Sequence, residues 1–312
     1  MVFSKEKVIN GKKYYYASKS IRLSNGKVTS VERIINNKSD KLTDSFLEDK
    51  EKILLINYAI GNYTKDNLFN ENKIKKIEEM NFNYKKILKK LTPNQKKDLW
   101  NRFTANFTFE SNAIEGNSLT LKDVTMTLFE KLSVEGKDLR EIYETKNTRD
   151  VLELVISKKF KFSVKNIIGM HKLLVRDMGI MAGFKKIPNY LVGRKIDTTP
   201  PEKVSEEINE LIDYFKKNRN LHPIKLAANI HGLFEKIHPF DDGNGRVGRF
   251  LINVVLIECG YMPLIIRKSQ RTAYFKCLED FDNGYKRNLE KFLVEKYENT
   301  YKNFFEEYLK YV

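Results

Sequence analysis

Residues 238–249 read HPFDDGNGRVGR, a stretch that concentrates one histidine, two aspartates, an asparagine, three glycines and two arginines. Each of these residue types brings a chemistry. The imidazole of His238 titrates near neutrality and suits a general base. The carboxylate of Asp242 is a hard oxygen ligand of the kind Mg2+ prefers, with phosphate oxygens completing the shell. Arg246 and Arg249 can grip phosphate oxygens through paired N–H donors. Gly243, Gly245 and Gly248 let backbone amides approach an anion closely. Asp241 is expected to face solvent. The combination describes a phosphate-transfer site for a nucleotide, because burying two arginines and an aspartate together without a ligand is costly.

The glycines also spell Gly243-x-Gly245-x-x-Gly248, the spacing of a dinucleotide-binding turn, which needs a strand before it and a helix after it. The preceding residues supply no strand. Leu226, Ile230, Leu233, Phe234 and Ile237 fall at helical spacing. After the stretch, Val247, Phe250, Leu251, Val254 and Val255 mark the buried face of a second helix, with Arg246, Arg249 and Asn253 on a different face. The twelve residues therefore join two helices, and the glycines sit at the N-terminus of the second. Unpaired amides and the positive end of the dipole attract anions there. His231 precedes His238 by seven residues, but no third ligand has zinc-site spacing. It is expected to serve hydrogen-bonded helix packing.

The elements that must position this site read as mainly α with small β elements. Residues 12–35 look like a β-unit turning at Asn25-Gly26. From about 41 to 115 the pattern is helical, with Ile74, Ile77, Met80, Tyr84, Ile87 and Leu88 on one face and a break at Thr92-Pro93. A Thr120-x-x-Asp123 capping pattern opens a helix over 120–133. Further helices are expected at about 140–158 and 163–177, and one through Val204, Ile208, Leu211, Ile212 and Phe215. Residues 180–201 read as a hairpin or flap.

Composition bounds the function classes. The chain has 312 residues, 41% hydrophobic and 12% aromatic, enough to bury a core. No apolar run approaches the roughly 18 residues of a membrane span, and MVFSKEKVING lacks the apolar heart of a secretory signal. Cys259 and Cys277 are isolated, without disulfide-framework or zinc-ribbon spacing. A soluble, cytoplasmic protein with no membrane partner is expected. The net charge of +16 raises a nucleic-acid-binding module as a reading from another class. The 57 basic residues are 44 Lys and 13 Arg, spread along the chain beside Asn and Ile. Base readout favours arginine, so a solvated lysine surface is the better account, with incidental affinity for polyanions at low salt.

His238, Phe240, Asp242, Gly243, Asn244, Gly245, Arg246 and Arg249 complete the pattern HxFx(D/E)GNGRxxR, and on these residues the chain resembles the Fic family of AMP-transferases. The resemblance runs from about 105 to 295. It implies a Fic-type helical core with a β-hairpin flap, and a protein adenylyltransferase. His238 would deprotonate a Ser, Thr or Tyr hydroxyl of a target protein, whose oxygen attacks the α-phosphate of ATP as pyrophosphate leaves. Asp242 would hold Mg2+. The 243–246 amides, with the side chains of Asn244 and Arg246, would cradle the α- and β-phosphates. Val247 and Gly248 continue the ATP-binding run, and Arg249 would hold the γ-phosphate.

Residues 111–116, SNAIEG, match the family's inhibitory motif (S/T)xxxE(G/N) and place it before the Fic core. The match implies that Glu115 pairs with Arg249 in the place of the γ-phosphate. Ser111 lies on the same helix face, and Gly116 suits the helix C-cap. The flap resembles its counterparts through Gly183, Lys186, Tyr190, Leu191, Val192 and Gly193; Lys186 stands for an arginine and Pro188 is unusual. Its edge could take up a target segment as an added strand. Tyr274 and Asp282 fall where relatives contact adenine, with Asp282 standing for an asparagine. The implied partners are ATP and a target protein, with the chain itself among candidate targets and a homodimer among candidate assemblies. AMP removal, or transfer of UMP, phosphocholine or phosphate, are the alternatives within the fold. The expected layout is a β-rich extension over 1–40, a helical region over 41–120 carrying an inhibitory helix at about 105–116, a Fic domain over 121–300 and a helix end over 301–312.

Overall fold

The structure, a computed structural model, describes residues 2–23, 27–37, 44–130, 136–189 and 198–311. It divides into two compact units, Met1–Asn83 and Tyr84–Val312.

In the first unit, β1 (Val2–Ile9), β2 (Lys12–Arg22) and β3 (Val28–Ile35) form an antiparallel sheet in sequence order. Period-two alternation turns Ala17 and Ile21 of β2 and Val31 and Ile35 of β3 to one face, where Leu47, Leu54 and Leu55 cover them. The latter two belong to α1 (Glu48–Asn62). Lys19 shares the buried face and is matched by Glu51 of α1, while Arg33 donates to Asp49 at 2.6 Å. These contacts pack α1 on the β-unit. β1 lies outside the expected 12–35. It is an edge strand of mixed charge and apolar residues, and edge strands carry charges against edge-to-edge pairing. Asn25 and Gly26 lie outside the described residues. α2 (Glu71–Lys90) straddles the division, and Ile74, Ile77, Met80, Tyr84 and Ile87 are buried along it.

The second unit is helical. α3 (Pro93–Ile114) opens with a Thr92/Gln95 capping box and Pro93 at its first position. α4 (Leu121–Thr125) opens with a reciprocal Thr120/Asp123 box and widens into a π-turn over Met126–Glu130. Residues 131–133 of the helix expected there lie outside the described residues. α5 (Leu139–Ile156) is capped by Asp138 and α6 (Val164–Leu174) by Ser163. α7 (Pro201–Lys217), α8 (Pro223–Ile237), α9 (Asn244–Glu258), α10 (Arg271–Asp282) and α11 (Lys286–Thr300) follow. α8 and α9 pack on each other; α7, α10 and α11 surround α8, and α5 and α6 reach α9. A Cβ on Gly232 of α8 would lie 2.6 Å from the Phe281 ring, so this glycine sets how closely α8 approaches α10. Phe107 of α3 meets Phe250 of α9 with ring centroids 5.1 Å apart, which ties α3 to the core.

Among the described residues the architecture is mainly α with one small three-stranded sheet. Among the described residues no helix is long and apolar enough to cross a membrane. The described ends of the expected flap, 180–189 and 198–200, carry no strand. Tyr190, Leu191, Val192 and Gly193 lie outside the described residues.

Candidate active site

His238 ends α8 in a left-handed conformation, φ 50°, its N–H bonded to the Phe234 carbonyl. A non-glycine residue in this region is uncommon and persists where the surroundings impose it. Here they do, because Phe240 two residues on is fully buried and stacks on the His171 ring, centroids 3.8 Å apart. Asn244 clamps the same residue: its Oδ1 accepts from the Phe240 N–H at 2.9 Å and its Nδ2 donates to the Phe240 carbonyl at 2.7 Å. Asn189 adds a donor to that carbonyl at 2.9 Å. The loop is thus stapled shut around one aromatic side chain. Gly243, φ 81°, then turns the chain into α9, whose first turn has no side-chain cap.

His171 of α6 secures the loop from below. Its Nδ1 accepts from the Gly183 N–H at 3.2 Å, so its Nε2 carries the proton and donates to the Asp242 carbonyl at 3.0 Å. Burial is the main reason its pKa falls to about 4, with the Asp242 carbonyl opposing the shift. The imidazole therefore stays neutral at pH 7 and keeps both bonds.

Two arginines lie on α9 one turn apart, each 2% exposed. Arg249 is held by the end of α3. Its Nε donates to Ser111 Oγ at 3.0 Å, and its Nη2 donates to the Ser111 carbonyl at 2.8 Å and to Glu115 Oε1 at 2.7 Å. Burial works against its charge, and Glu115 and Tyr274 more than offset that, raising its pKa. Glu115 is positioned by a Schellman ending. The Gly116 N–H bonds to the Ala113 carbonyl and the Asn117 N–H to the Asn112 carbonyl, with Gly116 at φ 105°. Glu115 itself is the C-cap of α3 and Gly116 the residue beyond it. Arg271 also donates to the Ile114 carbonyl at 2.7 Å. The Glu115 carboxylate lies over Gly245: a Cβ there would meet Glu115 Oε1 at 2.3 Å and Arg249 Nη1 at 3.2 Å. An anion therefore already rests on the N-terminal turn of α9, in space that only a glycine at 245 leaves.

Arg246 is held more loosely. Its Nη1 is 3.2 Å from Glu144 Oε1 and its Nη2 3.4 Å from Asp242 Oδ1. Its Nε and Nη1, like Nη1 of Arg249, are buried without a hydrogen bond. Buried guanidinium donors left in this state suit an incoming anion. Asp242 Oδ2 accepts from Arg140 of α5 at 2.8 Å.

Residues 161–256 match the Fic/DOC family model. This stretch is similar to a Fic domain. The chain is similar to the protein adenylyltransferase Fic of Nematostella vectensis, 32% identical over 199 residues, which cover 62% of this chain and 46% of that protein. It is 29% identical over 203 residues to the protein of the same name from Drosophila grimshawi, covering 62% and 41%. The chain thus spans somewhat under half the length of the curated relatives it matches. The fold is that of a Fic-domain-containing signaling protein from Bacteroides thetaiotaomicron, TM-score 0.66, 24% identical, covering 72% of this chain and 94% of that one. It is also that of Fic-1 from C. elegans, TM-score 0.64, 20% identical, covering 75% and 70%.

Two residues expected to touch the nucleotide also make contacts within the protein. The Asn244 amide, expected to cradle phosphates, spends both of its ends on Phe240. These two bonds shape the loop. Tyr274, expected against adenine, is 0% exposed; its hydroxyl shares a 2.8 Å hydrogen bond with His231 Nε2, and its ring stands 5.9 Å below the Arg249 guanidinium. Burial pushes its phenol well up, so it remains a neutral donor. His231 packs against Gly248, where a Cβ would meet its Nδ1 at 2.7 Å and Glu235 Oε1 at 2.4 Å. Val247 is fully buried, Asp241 is exposed and Asp282 is half-buried at the end of α10.

Sequence reasoning missed His171, Arg140, Glu144 and Lys185. Lys186 is exposed, and its neighbour Lys185 is 2% exposed, donating to Asn189 Oδ1 at 2.7 Å, to Thr198 Oγ1 at 2.8 Å and, from its N–H, to the Pro239 carbonyl at 2.9 Å. Arg140 and Glu144 did carry a signal, an i, i+4 pair of opposite charge, but such pairs are common on solvated helix faces.

Proposed function

We propose that this protein is a protein adenylyltransferase, which moves AMP from ATP to a hydroxyl side chain of a target protein and is restrained by its own Glu115. The observation that carries this reading is the Glu115 carboxylate resting on the first turn of α9 and bonded to Arg249. An internal anion occupies a place built for an external one. The uncapped turn, the orphaned N–H groups of two buried arginines and the glycine at 245 are what a polyphosphate needs.

The chemistry follows from the placement of the donors. His238 accepts the proton of the attacking hydroxyl, whose oxygen bonds to the α-phosphorus. The bond from that phosphorus to its bridging oxygen breaks, and pyrophosphate leaves. Amides at the start of α9, with Arg246, meet the charge that develops on the α- and β-phosphates. Arg249 takes the γ-phosphate once Glu115 releases it. Asp242 fits Mg2+: its carboxylate is 41% exposed and is held on one oxygen by the half-exposed Arg140, which can exchange. A metal bound through one carboxylate and several phosphate oxygens is the usual arrangement for Mg2+, and it would neutralise phosphate charge there. The name shared by the curated relatives favours AMP as the group transferred.

The test is self-labelling, or labelling of added protein, with ATP carrying its label on the α- or the γ-phosphate. The expected result is α-label that is weak on wild type, strong on Glu115→Gly and absent on His238→Ala. Label from the γ-phosphate would make the protein a phosphotransferase. No label on any variant, with label lost from a pre-modified target, would turn the reading to AMP removal.

A further inference from the structure

Four charged groups at the mouth of the site form a closed ring. Arg140 Nη2 lies 2.8 Å from Asp242 Oδ2, and Asp242 Oδ1 lies 3.4 Å from Arg246 Nη2. Arg246 Nη1 lies 3.2 Å from Glu144 Oε1, and that same oxygen lies 3.9 Å from Arg140 Nε. Two carboxylates and two guanidinium groups alternate, so the ring is neutral. Two of its members, Asp242 and Arg246, belong to the Fic loop and α9. The other two sit one turn apart on α5.

We propose that Arg140 and Glu144 are positioning residues that set how strongly a divalent cation enhances nucleotide binding. Arg140 stands on Asp242 where the cation would sit, and Glu144 stands on Arg246 where a phosphate would sit. This inference rests on the reading of the site as an ATP site.

The ring couples the two ligands through the protein. A cation at Asp242 displaces Arg140, which has Glu144 within reach as its next partner; Glu144, shared with Arg140, then holds Arg246 less strongly. Phosphates on Arg246 free Glu144, which draws Arg140 away from Asp242. Opening the ring at either side therefore eases the other. Glu144 does not swing far in this exchange, because Asn117 Nδ2 donates to its second oxygen at 2.9 Å. Its side chain is only 13% exposed, which keeps the interaction strong, whereas Arg140 is 53% exposed and free to move.

The two residues make opposite predictions. Without Arg140 the Asp242 charge is uncompensated: it repels phosphates when no metal is present and meets no competitor when metal is added. Without the Glu144 charge, Arg246 is available to phosphate at once, and Arg140 stays on Asp242 for want of another partner. Calorimetric titration of ATP, with and without Mg2+, into proteins all carrying His238→Ala gives the ratio of the two affinities. The direct metal–phosphate contact is common to every variant and drops out of the comparison. Arg140→Gln is expected to raise the ratio at least about threefold and Glu144→Gln to lower it at least about threefold, in line with couplings between contacting charged residues. A merely structural role would move melting temperature and leave the ratio alone. Arg140→Gln replaces a half-exposed side chain and keeps the proposal testable if the buried substitution unfolds the protein. Unchanged ratios, or ratios that move in the same direction, would overturn the coupling while leaving the ATP site intact. If the protein carrying both His238→Ala and Glu115→Gly binds no ATP with Mg2+ present, the proposed function itself fails, and the coupling with it.

Discussion

Arg246 and Arg249 stand one turn apart on the same helix and are buried to the same degree, yet the molecule restrains them in different ways. Arg249 donates three hydrogen bonds to the end of α3, the longest 3.0 Å. Arg246 makes two wider contacts and keeps two N–H groups without a hydrogen bond. The opposing carboxylates differ as well. Glu115 caps a helix end, beside a glycine in a conformation that L-residues rarely adopt. Glu144 lies inside α5 and is held from behind by Asn117. A carboxylate at a helix terminus can be removed by a small local rearrangement, whereas one in mid-helix cannot leave without moving the scaffold. In the proposed function the α3 terminus is a releasable lock, and in the proposed coupling the α5 face is a fixed post that biases the site.

The support common to both arginines gives the largest expected effect. His171 has a folded-state pKa near 4 against about 6.5 when unfolded, so its contribution is complete above pH 6.5 and is lost as pH falls from 6.5 towards 4. The loss is on the order of 3 kcal/mol. Urea unfolding at pH 7 and pH 4 measures it, and His171→Asn is expected to remove this part of the pH dependence. His222, held near pKa 3 by burial, and the carboxylates of Asp123 and Asp150, held below their ordinary range, contribute to what remains. If His171→Asn leaves the pH dependence intact, the loop is not supported from below as described.

Next comes the contrast between lock and post. Glu115→Gly is expected to raise the initial rate of AMP transfer about tenfold or more, a barrier change of at least about 1.4 kcal/mol. Glu144→Gln is expected to raise it less than about threefold. Equal effects in a radiolabel assay would erase the distinction. Gly245→Ala sharpens it: the new Cβ falls 2.3 Å from Glu115 Oε1, so it expels the carboxylate but fills the same space. Loss of nucleotide affinity by roughly tenfold, with no gain in transfer, is the expected titration result. The smallest effect belongs to Tyr274→Phe, which removes the hydroxyl bonded to His231. A stability loss of about 1 kcal/mol, read from the melting temperature, is expected.

How much of this was legible in the sequence depended on where each signal lay. The loop between two helices was readable because α8 and α9 carry strong apolar periodicity and because glycine, proline and polar residues punctuate them. Glu115 was readable through a local motif, although its contact with Arg249 spans 134 positions of sequence. The Thr92 and Thr120 capping boxes are local codes and appear where their residues stand. His171, Arg140 and Glu144 were not readable, because the contact that ties each of them to the loop or α9 is with a residue at least 71 positions away. Asn244 and Tyr274 show the converse difficulty. Their residue types suit ligand contact, and no spacing rule reports the burial or the hydrogen bonds to Phe240 and His231 that the fold also gives them. β1 escaped because an edge strand must be charged, and charge dilutes the alternation that marks a strand.

The central claim is that the Glu115 carboxylate occupies the place of the terminal phosphate of ATP on Arg249. Titration of ATP and of ADP, each with Mg2+, into His238→Ala with and without Glu115→Gly tests it directly. If the claim holds, removing Glu115 strengthens ATP binding about tenfold and ADP binding less than about threefold, because only ATP has a γ-phosphate to take the vacated guanidinium. Equal gains for the two nucleotides, or none for either, would contradict it.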